Sequence, residues 1–328
     1  MSNQVEIPNL IQWLTDETPE PKWLIKDLLP ESSLAMMSGP RKVAFKTWTA
    51  FDWSIAVACG LKEKVLNCEH DGYRVLAFEE EGTAHDTRAR WLKLLKAHGL
   101  DPRTDLGNDM IKRLMKNYNF MHHPRVKLDN PKWVEQIVSY IKGEGVKLLV
   151  LDAITYMTSA DENSKQGMQP VNDALFQFRA AGAATLYLVH TNKQAQREDA
   201  DPDLDVRGSS VLLDAYDVHF ALRRHHKDYI SMLARYRDFE EVRYRVGWSI
   251  DKTTAVCDMR VVSDETEARD RLEPFVKQLV PGFGYTSVSL GKAMGIKTPK
   301  EAVTLLNSLI DMGVLQPGGN GTFIKPKR

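Results

Sequence analysis

The chain has 328 residues, is 43% hydrophobic and 27% charged, and sets 44 Lys+Arg against 44 Asp+Glu. These are the proportions of an ordinary globular protein with room for one large domain and a small one, and they exclude a polycationic nucleic-acid coat. Cys59, Cys68 and Cys257 share no metal-ligand spacing and cannot all pair. No apolar run approaches the roughly 18 residues of a membrane span, and MSNQVEIPNL has no basic-then-apolar leader, so a cytoplasmic protein without membrane contact is expected.

Residues 1–30 read as an N-terminal segment that runs, through PEPKWLIKDLLP, in extended form onto the main domain. From Leu34 a strand–helix alternation begins. LAMMSG is a short apolar run ending in glycine, and Lys46 to Cys59 is a helix that Gly60 stops. YRVLAFEEE (Tyr73 to Glu81) is a buried strand ending in carboxylates, followed by a helix over Thr83 to His98. Asn130 caps a helix over Pro131 to Lys142. KLLVLDA (Lys147 to Ala153) is a second buried strand, Asn163 to Ala181 a helix, and ATLYLVHT (Ala184 to Thr191) a third strand.

This alternation predicts an α/β domain over residues 31–262, with a mainly parallel sheet covered by helices. After Asp217, VHFALRRH, DYISMLARYRD, VRYRVGWSID and AVCDMRVV are short strands that predict an antiparallel extension. Residues 263–268 are a charged linker. In residues 269–328, helices over Leu272 to Leu279, Val288 to Met294 and Pro299 to Met312 precede GVLQPGGNGTFIKPKR, a hairpin turning at PGGNG. That is the order of a small winged-helix domain. It is locally basic, with nine Lys/Arg against four Asp/Glu from Arg269 onward.

SGPRKVAFKTW is an altered form of the phosphate-binding pattern G-x-x-x-x-G-K-[ST]. Such a loop needs inward-facing N–H groups, a lysine for the terminal phosphates, a hydroxyl for Mg²⁺ and a helix N-terminus behind them. Lys46 and Thr47 supply the last positions. Gly39 stands seven residues before the lysine where the pattern has six, Pro40 takes the first glycine position and Phe45 the second. The loop is read as one residue longer, with Gly39, Pro40, Arg41, Lys42, Val43, Ala44, Phe45, Lys46, Thr47 and Trp48 lining a nucleotide site. Phe45 is the harder departure, because it gives up easy access to positive φ and adds bulk.

Three downstream strand ends bear on the loop. VLAFEEEG places glutamates after an apolar strand, where one can polarise an attacking water. KLLVLDA ends in Asp152, an acid suited to order Mg²⁺ together with Thr47. LYLVHTNK ends in His190. Each has a plain alternative: a solvated loop, a cap, a structural histidine. Together, after a phosphate loop, they converge on one crevice outside the carboxyl ends of the strands. Trp48 and Trp53 read as core packing, with adenine stacking the alternative.

The ordered set GPRKVAFKTW, VLAFEEEG, LLVLDAITYMTSADENS, LYLVHTNK, VRGSS and LARYRD resembles the RecA/DnaB-type ATPase core. It is most similar to the RepA-like hexameric helicase ATPases of plasmids and phages, over about residues 20–262. The resemblance implies that Lys46 and Thr47 hold the phosphates and Mg²⁺ of ATP. It implies that Glu81 is the catalytic base ahead of Glu79 and Glu80, Asp152 the Walker B acid, and His190 a sensor linking the γ-phosphate to DNA loops.

Arg235 and Arg237 match a finger pair that reaches the next subunit's site, which implies a homo-oligomeric ring, a hexamer in the family. A solvent-facing strand is the other reading of that pair. Lys193, Arg207, Ser209 and Ser210 match a channel region that contacts single-stranded DNA. Five Asp/Glu between Glu198 and Asp205 argue against a simple basic stripe there, and a solvated linker is the alternative. In the winged helix, Lys297 and Lys300 are candidate phosphate contacts, although such domains also bind proteins.

The implied function is an ATP-hydrolysing ring helicase in replication of a plasmid, phage or mobile element. The alternatives are a filament-forming recombination mediator or helicase loader, and a non-hydrolysing nucleotide-switched DNA-binding module. Intact Lys46, Thr47, Glu81 and Asp152 stand against the last.

Overall fold

The computed structural model describes residues 11, 22–41, 44–63, 65–161, 164–191, 211–223, 230–262, 275–296, 298–311, 313–318 and 321–326. The chain divides into two compact units, residues 1–261 and 262–328.

The first unit opens with a tight hairpin, β1 (Trp23–Ile25) and β2 (Leu29–Pro30), paired antiparallel. The sequence pattern expected an extended approach here. Instead Asp27 turns the chain at φ 57°, and Leu24, Ile25, Leu28 and Leu29 are fully buried in the core. Burial of four aliphatic side chains at this density outweighs the prolines' preference for extended backbone.

The strand–helix alternation follows. Strand β3 (Leu34–Gly39) leads into helix α1 (Lys46–Cys59), which ends at Gly60, φ 64°, whose N–H donates to the Ala56 carbonyl. A small hairpin, β4 (Lys62–Glu63) and β5 (Leu66–Asn67), precedes β6 (Arg74–Glu79) and α2 (Ala84–Ala97). Next come α3 (Asp109–Asn117), β7 (Tyr118–His122), α4 (Pro131–Glu144), β8 (Val146–Asp152), α5 (Lys165–Ala180) and β9 (Ala184–His190). The unit closes with α6 (Val211–Ala215), β10 (Val218–Arg223), β11 (Ile230–Tyr236), β12 (Val242–Ile250) and β13 (Ala255–Val262).

Nine of these strands form one sheet in the order β13-β12-β11-β10-β3-β9-β8-β6-β7. From β10 to β7 every neighbouring pair runs parallel, while β10–β11 and β11–β12 are antiparallel. The sequence grouping of VHFALRRH with the antiparallel extension is therefore corrected: β10 belongs to the parallel core, in register with β3 from Val218↔Ala35 to Ala221↔Ser38. Its residues are buried on both faces up to Leu222, which only a covered interior position permits. The extension proper begins at β11. Helix α3 and strand β7 were unassigned by the sequence pattern. Helix α3 mixes polar and apolar residues, and β7 is one of the sheet's two edge strands, with no position fully buried.

Alternation along the central strands divides the core in two. Leu148 and Val150 of β8 join Trp53, Ala56 and Val57 of α1 on one face, whereas Leu149 and Leu151 join Val134, Ile137 and Ile141 of α4 and Val171 and Leu175 of α5 on the other. The parallel strands consequently deliver all their carboxyl ends to one edge.

In the second unit, β14 (Gly284–Tyr285), α7 (Ser287–Ala293), α8 (Pro299–Asp311), β15 (Gln316–Pro317) and β16 (Phe323–Ile324) surround a core of Leu279, Tyr285, Leu290, Leu305, Leu306, Leu309 and Leu315. The strands pair antiparallel in the order β14-β16-β15. Residues 263–274, with the expected linker, lie outside the described residues. Among the described residues no helix is long and apolar enough to cross a membrane.

Helices α1 and α2 are tied by His98, which follows α2, through Nε2 at 3.2 Å from Asp52 Oδ1. Burial pulls the imidazole down, but the hydrogen bond and charge of Asp52 carry it above its ordinary value. A folded-state value above the unfolded one stabilises fully below the unfolded pKa and is lost as pH rises through the folded pKa. Urea unfolding across pH 6–8 should therefore show the wild type losing stability with rising pH, and His98→Gln giving a flatter profile.

Candidate active site

Helix α1 starts differently from its neighbours. Thr83, Asn108, Asn130 and Ser164 each cap the helix behind them with a side-chain oxygen, but α1 begins at Phe45 with no side-chain cap. Its first turn carries no acidic residue, so its N-terminal amides and their partial positive charge are left for an anion. The approach to that turn is close. A Cβ on Gly39 would sit 2.7 Å from the Ala44 Cβ and 3.0 Å from the Leu222 carbonyl oxygen, so glycine is required where the loop leaves β3.

Phe45 itself lies at φ 52°, ψ 28°, a left-handed conformation that costs an L-residue roughly 1–2 kcal/mol. The expected loss of positive φ did not occur. The bulk is not loose either, since the ring stacks on Trp248 of β12 at 6.4 Å between centroids.

Lys46 is 7% exposed. Its Nζ donates to the Gly39 carbonyl at 2.7 Å and lies 3.4 Å from that of Pro40. Burial pulls the ammonium down to about 8, with Asp152 and Glu81 opposing that pull. Thr47 donates its hydroxyl to Asp152 Oδ2 at 2.7 Å. Asp152, 2% exposed at the end of β8, is pushed up to about 7 by burial, against the Thr47 hydrogen bond and with help from the charges of Glu79 and Glu81. A lysine held down and an aspartate held up in one crevice are groups whose natural charges need a further partner.

The three glutamates separate. Glu79, 1% exposed, accepts from Thr87 at 2.6 Å and from Arg90 at 3.0 Å, which makes it a packing group between β6 and α2. Glu80 accepts from the Val126 N–H at 2.9 Å, fixing the chain after β7. Glu81 alone faces the loop, with Oε1 3.3 Å from Arg41 Nε and Oε2 3.4 Å from His190 Nε2. His190 and Arg41 hold its carboxyl below the usual range against the pull of burial, the His190 hydrogen bond being the largest cause. His190 ends β9 opposite Gly39. Its Nδ1 and the Thr191 hydroxyl are buried without a hydrogen-bond partner, and the Thr191 N–H donates to the Gly39 carbonyl at 3.3 Å.

Gly39, Lys46, Thr47, Glu81, Asp152 and His190 are thus brought together at one sheet edge. Arg41 is exposed and binds the Tyr156 hydroxyl as well as Glu81. Trp48 packs on Trp248, and the Arg90 guanidinium lies 5.5 Å from its ring. Trp53 is fully buried.

Arg235 and Arg237 are not part of this cluster. Arg235 pairs with Glu241 at 2.6 Å, and Arg237 donates to the Tyr216 carbonyl at 2.9 Å. The Arg237 N–H bonds the Asp217 carbonyl, and Asp217 in turn bonds Leu34 at the start of β3. Five residues of strand separate that level from Gly39, about 17 Å at ~3.3 Å per residue, so Arg237 sits toward the opposite edge of the sheet, while Arg235, across from His219 and level with Met36, lies midway along a strand two removed from β3. Lys300 is exposed in the first turn of α8. Lys42, Val43, Lys193, Arg207, Ser209, Ser210 and Lys297 lie outside the described residues. Sequence reasoning missed Tyr156, Thr191, Arg90 and Trp248. Only Thr191, adjoining His190, carried a local signal.

Residues 2–196 match the family model described as an AAA domain. The chain belongs to the AAA domain family. It is therefore a P-loop-class ATPase domain, and the match ends after β9, before the strands that complete the sheet. No curated protein matches the chain.

Within this AAA domain the buried Arg90–Glu79 pair supports the glutamate strand. Arg90→Ala should leave Glu79 charged and unpaired and cost roughly 3–5 kcal/mol in urea unfolding. Adding Glu79→Gln should restore part of that loss.

Proposed function

We propose that the protein is an ATP-hydrolysing RecA-type motor that works on single-stranded DNA as a homo-oligomeric ring of the RepA-like helicase kind. The observation that carries the ATPase reading is the convergence of Lys46, Thr47, Asp152, Glu81 and His190 around a helix start without a side-chain cap. The DNA and ring elements rest on the resemblance of HTNK, RGSS and LARYRD. They gain support from the position of Arg237, which lies toward the sheet edge opposite its own phosphate loop.

Mg²⁺ fits the residues present. Among the described residues no group of three or more His, Cys, Asp or Glu is arranged to hold a metal, but Mg²⁺ is commonly held by one or two carboxylates together with substrate phosphates. Thr47 and Asp152, already in contact, would hold it. When bound, it neutralises charge on the phosphate oxygens.

The chain's own residues do the rest. The α1 amides and Lys46 bind the β- and γ-phosphates, with the ammonium exchanging the Gly39 carbonyl for phosphate oxygen. Glu81 orients water for in-line attack on the γ-phosphorus and takes its proton, while the bond to ADP breaks. His190, beside Glu81, senses the γ-phosphate.

The second unit is read as a winged helix. Its order of helical residues 275–278, β14, α7, α8 and the β15–β16 hairpin supports that reading, with the exposed Lys300 as its candidate phosphate contact. A filament-forming mediator or loader shares the same site and differs in having no unwinding activity on a forked substrate.

Lys46→Ala and Arg237→Ala should each abolish turnover, and mixing the two variants should restore some of it. Absence of recovery in a phosphate-release assay would sink the shared-site arrangement. Glu81→Gln should lower kcat by about 10²–10⁴ with little change in ATP binding.

A further inference from the structure

The position that departs most from the phosphate-loop pattern has its own support, and that support comes from outside the loop. Phe45 holds a left-handed backbone, φ 52°, which glycine adopts freely and an aromatic residue does not. Trp248 of β12 engages it in two ways. Its indole lies over the Phe45 ring, with centroids 6.4 Å apart and planes 22° from parallel. Its Nε1 donates to Thr49 Oγ1 at 3.4 Å, and that hydroxyl donates to the Phe45 carbonyl oxygen at 3.1 Å. The Thr49 N–H donates to the same oxygen at 2.9 Å.

One indole therefore bears on the ring of Phe45 directly and on its carbonyl through a single hydroxyl. The hydroxyl can do both jobs because it accepts from the indole on a lone pair and donates its own hydrogen. The platform is anchored too. Trp48 packs on the same indole, with ring centroids 5.8 Å apart. The turn after β12 is tied to α2 by Lys93, whose Nζ donates to the Asp251 carbonyl at 2.6 Å. Asp251 accepts from the backbone N–H groups of Thr253 and Thr254, which fixes that turn.

We propose that Trp248 is a positioning residue for the phosphate loop. It does the work of the missing second glycine by holding Phe45 left-handed, so that Lys46 and Thr47 enter α1 in the orientation that binds phosphate. The antiparallel extension, which lies beyond the segment matched as an AAA domain, is on this account a working part of the nucleotide site. The inference rests on the reading of residues 39–48 as a phosphate loop.

The test is a double-mutant cycle on the full chain, titrating a fluorescent Mg·ADP analogue against wild type, Trp248→Ala, Trp248→Phe, Phe45→Gly and the Phe45→Gly combinations with each Trp248 variant. Trp248→Ala should weaken binding roughly tenfold, the affinity equivalent of one left-handed residue, and raise the KM for ATP more than it lowers kcat. Trp248→Phe keeps the stack, loses the N–H and should give a smaller loss. With glycine at position 45, either change at Trp248 should alter affinity less than about threefold.

An equal loss in both backgrounds makes Trp248 a general stabiliser and overturns the proposal, as does unchanged affinity in the Trp248→Ala chain. Should Trp248→Ala melt below the assay temperature, the same cycle is read from Trp248→Phe, with the same two outcomes overturning it. A folded wild type that binds no ADP, and behaves like Lys46→Ala, overturns the phosphate-loop reading beneath it, and this inference falls with it.

Discussion

A lysine ammonium and an aspartate carboxyl, both withdrawn from water at one edge of a sheet, set the terms for everything around them. Lys46 rests on the Gly39 carbonyl, and Asp152 rests on the Thr47 hydroxyl. Burial pushes each toward its neutral form, and nearby opposite charge or a bound ligand favours the charged one. Such a pair is costly as packing and useful as a receptor. The strand order makes it possible, because β3 and β8 flank β9, so the lysine, the aspartate and His190 reach the same edge from three consecutive strands.

The surroundings then follow from keeping that edge polar while the rest of the sheet is dry. Glu79 is paired with Arg90 and accepts from Thr87, and Glu80 is spent on the backbone after β7. This leaves Glu81 as the one carboxylate of its run that faces the loop. The hydroxyl of Thr191 and Nδ1 of His190 stay without partners in a buried place, which is tolerated where a ligand supplies the missing hydrogen bonds. On the other side of the loop, α1 is buried along nearly its whole length, so any strain at Phe45 is borne by a helix that cannot easily shift.

Much of this was legible from the chain alone. The apolar runs LAMMSG, KLLVLD and ATLYLVH each end in a residue that reaches the edge, RVLAF runs on into the glutamates, and their period matches strands buried on both faces. The helix start at Asn130 announced itself through capping chemistry that is local in sequence. The edge strand β7 and the amphipathic α3 were not legible, because half-exposed residues leave no uniform apolar signal. The N-terminal hairpin was hidden by its prolines. Strand β10 was assigned to the wrong neighbours because a short apolar run states that it is buried but not which strand lies beside it.

The sequence by itself determined which side chains were available for phosphate chemistry and where the strands that carry them stop, since both depend on residue type and short-range periodicity. Only the tertiary structure decided which of three consecutive glutamates faces the loop, that Arg41 and Tyr156 meet, and that Phe45 leans on an indole about two hundred residues further along the chain. Those facts depend on contacts between segments far apart in sequence, and a residue's own type and neighbours carry no record of what packs across from it.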